Sequence, residues 1–130
     1  MKFLVALLLL GTLALAERRR IKTSAFLGSL PISNFLRSWH PVEFPANNDF
    51  TYILNVAEGQ TVEMTCASIN IEEPCGENVF RITDGDYIED ICGEKKNFIY
   101  KSKTNSLSVQ LLSGVNPIKS TPQCSAKPVA

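Results

Sequence analysis

Four cysteines, Cys66, Cys75, Cys92 and Cys124, lie in a chain that opens with a short apolar leader. The two features together set the compartment and the cross-links within which the chain must fold. Met1 to Ala16 reads MKFLVALLLLGTLALA: one basic residue, an apolar run, and a small-residue ending in which Ala14 and Ala16 flank Leu15. That is the pattern of a secretory signal peptide with cleavage after Ala16. The run is short for a bilayer span, and no second hydrophobic segment follows it. The mature chain is therefore expected to be secreted and extracellular. An even number of cysteines in that setting implies disulfides rather than free thiols. The cysteine spacings of nine, seventeen and thirty-two residues contain no Cys-x-x-Cys knuckle, which argues against zinc. Four cysteines allow three pairings, and spacing alone does not choose among them.

Once the leader is removed, one domain remains, large enough for a core and small enough to gain from cross-links. The whole chain carries 13 Lys/Arg and 13 Asp/Glu, and the leader removes one lysine. That balance argues against nucleic acid, which needs a concentrated basic surface. The basic cluster is Arg18, Arg19, Arg20 and Lys22. It reads as a frayed, solvated terminus or as a short pro-segment cut by a basic-site protease. No Asn-x-Ser/Thr acceptor occurs, so N-glycosylation is not expected.

Strand signals dominate the rest. Thr51–Val56 is apolar and β-rich. In Thr61–Cys66, Val62, Met64 and Cys66 alternate with Thr61, Glu63 and Thr65, and Ala57-Glu58-Gly59-Gln60 makes a turn before it. Val79–Ile82 and Asn97–Tyr100 are further short strands. The first is stopped by Thr83-Asp84-Gly85-Asp86. In Ser106–Leu112, Leu107, Val109 and Leu111 alternate with Ser106, Ser108 and Gln110, so three apolar side chains face a core. Short strands at this spacing predict an all-β antiparallel sandwich. Residues 17–37 are open between an edge strand, a short helix and partial disorder, and Gly28, Pro31, Pro41 and Pro45 limit any long helix. The expected organisation is a signal peptide (1–16), an N-terminal segment (17–37) and a β domain (38–130).

Residues 50–112 resemble the CUB domain family. The likeness rests on VEMTC, then INIEEPC, NVFRITDGD, the Cys92-Gly93 pair, and Thr104-Asn105 before an alternating strand. It implies a CUB-like jelly-roll sandwich with Cys75 paired to Cys92. Most CUB domains have a cysteine just before the strand matching Phe50–Val56, and none lies there. The variation resembles arthropod CUB domains, found ahead of insect trypsin-like proteases and as stand-alone venom proteins of predatory bugs. In that group a strand cysteine pairs with one in the last strand, which implies Cys66 with Cys124. The loop-entropy model gives such bonds about 3 and 4 kcal/mol. Since Cys66 follows the inward Val62 and Met64, a partner on a strand packed across the core suits it.

Many CUB domains bind calcium through carboxylates on both sides of the cysteine matched by Cys75. Asn70 and Asn78 stand at those positions, so the charge that sets calcium affinity is missing and no metal or other cofactor is expected. Glu72, Glu73 and Glu77 read as a solvated acidic loop, and Asp84, Asp86, Glu89 and Asp90 as a hairpin tip. Catalysis by a histidine-activated nucleophile would have to use His40, the single histidine, and no Gly-x-Ser-x-Gly surrounds any serine. A non-enzymatic, monomeric protein follows. The resemblance points to a venom component that binds an extracellular protein or glycan through loops. The alternative is a protease inhibitor or a regulatory module of an extracellular protease system.

Overall fold

The computed structural model describes residues 20–26 and 30–130. The leader, with Arg18 and Arg19, lies outside them. The strands are β1 (Ile21–Phe26), β2 (Asn48–Asn55), β3 (Thr61–Ile71), β4 (Val79–Asp84), β5 (Tyr87–Ile91), β6 (Gly93–Lys101), β7 (Ser106–Leu112) and β8 (Gln123–Val129). A short helix, α1 (Phe35–Trp39), lies between β1 and β2. Two sheets form a sandwich, ordered β1-β2-β7-β4-β5 and β6-β3-β8. Val62, Met64 and Cys66 of β3 and Leu107, Val109 and Leu111 of β7 share one buried cluster. Alternation thus directs both strands inward from opposite sheets.

Two departures from the sequence reading have clear causes. β1 is an edge strand that pairs with β2 in parallel, so the sandwich is not wholly antiparallel. A parallel pair needs a crossover of a dozen or more residues. The stretch between β1 and β2 supplies it, and α1 sits within it, with Phe35 and Leu36 buried. Strand β3 also continues past Cys66. Its register with β8 slips between Cys66 and Ser68, and the buried positions change from 62, 64 and 66 to 69 and 71. A bulge of this kind re-aims the side chains that follow it.

The strand directions divide the loops between two ends. One end, formed by the turns after β2, β4 and β6, is closed by hydrogen bonds. Ser102 Oγ accepts from the Val62 N–H at 2.7 Å and donates to the Thr104 carbonyl at 2.6 Å. Asp84, buried at 3% exposure, accepts from Tyr100 Oη and the Lys103 N–H, each at 2.8 Å. This ties β4 of one sheet to the end of β6 in the other. The expected acidic hairpin tip therefore separates into different environments. Asp84 is internal, Asp90 pairs with Arg81 at 2.6 Å, and Glu89 accepts from Tyr87 Oη. Only Asp86 is left at the exposed turn.

Candidate binding site

The other end carries the loops 72–78 and 113–120, and local chemistry holds both in place. Cys75 is bonded to Cys92, which fastens loop 72–78 to the junction between β5 and β6. Gly93 follows at φ +83°, and a Cβ there would collide with the Glu73 side chain. A left-handed backbone against a close neighbour requires glycine, which accounts for the Cys-Gly pair. Asn78 joins the two loops: its Nδ2 donates to the Asn116 carbonyl at 3.0 Å, and its Oδ1 accepts from the Gly114 N–H at 2.8 Å. The Val115 N–H donates to Glu77 Oε2 at 3.3 Å. Ser113, fully buried, donates to the Pro45 carbonyl at 2.6 Å and accepts from the Asn48 N–H at 3.0 Å.

Arg20 adds a further segment. Its Nε donates to the Ser113 carbonyl and its Nη2 to the Glu77 carbonyl, both at 2.9 Å. The frayed-terminus reading therefore fails at Arg20, because those carbonyls give the guanidinium fixed acceptors. Between the loops lies a hollow of about 540 Å³. Asn70, Glu72, Asn78, Asn116, Lys119 and Ser120 line it, over Ile71, Pro117 and Ile118. A smaller hollow of about 290 Å³ adjoins it and shares Glu72, Asn78 and Asn116.

The other candidate residues from the sequence lie elsewhere. Cys66 and Cys124 are bonded and fully buried. They are direct cross-strand neighbours on β3 and β8, so the bond stays within one sheet instead of crossing the core. The inward direction of Cys66 was readable, but its partner was set by the order of the strands. His40 packs edge-on to Phe44 and Phe50, with ring centroids 4.9 and 5.1 Å away. Its Nε2 is buried without a hydrogen-bond partner, and burial lowers its pKa. Among the described residues, no hydroxyl or thiol is hydrogen-bonded to this nitrogen.

Calcium does not fit the residues at the loop end. Asn78 Oδ1 carries no charge and already accepts from the Gly114 N–H. Among the described residues, no group of three or more His, Cys, Asp and Glu side chains is placed to hold a metal ion. Calcium favours six to eight oxygens, several of them charged. Sequence reasoning found Asn70 and Asn78 but missed Asn116, Lys119, Ser120 and Arg20. Asn116-Pro117 signals a turn, yet the meeting of that turn with loop 72–78 depends on β4 and β7 being neighbours.

The family model described as "CUB domain" matches residues 32–121. The chain belongs to the CUB family. Over 77 residues it is 27% identical to "Venom CUB domain-containing protein 2" of the predatory bug Platymeris rhadamanthus. That match spans 58% of this chain and 58% of the relative. Solved structures share the fold. The CUB1-EGF-CUB2 region of human MASP-1/3 aligns with a TM-score of 0.70 and 18% identity, over 85% of this chain and 44% of that one. The MASP-1 CUB2 domain bound to Ca²⁺ aligns at 0.62 and 17%, over 81% of this chain and 96% of that one. The full extracellular region of zebrafish Gpr126/Adgrg6 aligns at 0.67 and 17%, over 85% of this chain and 15% of that one. At these identities the structures speak for the sandwich alone. Among the described residues, no helix of this CUB domain is long and apolar enough to cross a membrane.

Proposed function

We propose that this chain is a secreted, non-catalytic CUB protein, freed of its leader after Ala16, that binds an extracellular protein or glycan through the loop end. The supporting observation is the braced hollow of about 540 Å³ between loops held by Cys75–Cys92, Asn78 and Arg20. A rigid scaffold presenting loops is the usual platform for recognition, because little ordering remains to be done on binding. The venom role rests on the partial likeness to the Platymeris protein.

The experiment compares retention of extracellular matrix and haemolymph components by immobilised wild type, Asn70→Arg and Glu58→Arg. Asn70 borders the hollow, whereas Glu58 is exposed in the turn at the far end. The proposal expects a retained component that Asn70→Arg loses and Glu58→Arg keeps. Equal retention by all three proteins, or none by any, overturns it. Transcription concentrated in venom or salivary gland is the outcome expected of the venom role.

A further inference from the structure

We propose that the hollow between Asn70, Asn78 and Asn116 is a subsite for a neutral saccharide, a reading that rests on the binding role proposed above. Three carboxamides and the Ser120 hydroxyl stand on its rim. Each carboxamide offers two N–H donors and a carbonyl acceptor, and the hydroxyl does both. Sugar hydroxyls likewise donate and accept, so adjacent hydroxyls are matched by adjacent amides. Two rim members are already positioned. Asn78 is fixed by its bonds to the Asn116 carbonyl and the Gly114 N–H, and it retains a second N–H and a second lone pair. Asn70 stands on β3, the central strand of its sheet.

Charge narrows the ligand class. Glu72 and Lys119 are the charged residues lining the hollow, and they are of opposite sign. A sulfated or phosphorylated ligand meets Glu72, a cationic one meets Lys119, and an uncharged one meets no repulsion. Ile71 and Ile118, each 2% exposed, lie beneath the polar rim, and half-buried Pro117 adds a C–H surface against which a sugar ring can pack. The volume lies within the roughly 300–1,000 Å³ of small-ligand sites.

The test titrates the mature chain with cellotriose, chitotriose, maltotriose and mannotriose, and with a heparin tetrasaccharide as the charged comparator. At least one neutral trisaccharide should bind saturably and persist in high salt. The double variant Asn70→Ala/Asn116→Ala should weaken that binding about tenfold or more at an unchanged melting temperature. Both side chains are exposed, and among the described residues neither donates nor accepts a hydrogen bond, so folding should not suffer. Absence of neutral binding, binding unaffected by the double variant, or salt-sensitive binding of the heparin tetrasaccharide alone overturns the subsite. If retention of a protein is still lost in Asn70→Arg, the broader binding role stands while the saccharide subsite falls.

Discussion

Leu111 and Ser108 lie on the same strand, but Leu111 is fully buried and Ser108 is only partly covered on the outer face. Truncating a buried leucine removes its burial and leaves a cavity, at about 2–5 kcal/mol, whereas a surface change stays within about 0.5 kcal/mol. Leu111→Ala should therefore sharply lower thermal stability or secreted yield, and Ser108→Ala should leave both near wild type in a melting assay. His40 gives a pH prediction. Burial lowers its folded-state pKa below the ordinary value of 6.5. The unfolded chain thus takes up the proton more readily, and stability falls as pH drops through 6.5 toward the folded pKa. The wild type should lose more melting temperature than His40→Gln between neutral and mildly acidic pH, and parallel losses would exclude the effect. His40 also shows where the sequence stopped being informative. Its place against Phe44 and Phe50 depends on how the segment after α1 folds back, which no local pattern reveals.

At the scale of elements, the link from β4 to β6 joins the two sheets at the closed end. Burial and the hydrogen bond to Asp84 both raise the pKa of Tyr100 above the ordinary tyrosine value. Tyr100→Phe would leave a buried carboxylate with one donor fewer, at about 1–3 kcal/mol, measurable by denaturant unfolding. Removing the bond between Cys66 and Cys124, which are 58 residues apart, should cost about 4 kcal/mol through loop entropy in the unfolded state. Replacing both cysteines by alanine and measuring the unfolding midpoint checks this, and non-reducing peptide mapping should recover Cys66–Cys124 and Cys75–Cys92. Strands with clean alternation, above all β7, were legible because one face is wet and the other dry. Tyr87–Ile91 was not, since an edge strand with exposed Tyr87 and Ile88 shows no such contrast. Gln123–Val129 was obscured by Lys127 and Pro128, which an edge strand tolerates and a central strand would not.

For the molecule as a whole, the loop end is braced by the Cys75–Cys92 bond and by the hydrogen bonds of Asn78 and Arg20. Millimolar calcium should therefore leave the melting temperature within error. A rise reversed by chelator would show that Glu72, Glu73 or Glu77 supplies ligands, because a ligand held at 100 times its Kd adds about 2.7 kcal/mol to stability. The strand order of the β6-β3-β8 sheet has one more consequence, for biosynthesis. Strand β3 emerges early, but the neighbour carrying Cys124 is made only after β4 to β7. On the secreted route proposed above, Cys66 meets Cys75 first and Cys92 next, and both are wrong partners. The native cross-link therefore competes with two premature ones. The yield of correctly joined protein should depend on the cell's supply of disulfide-exchange catalysts as much as on the finished fold.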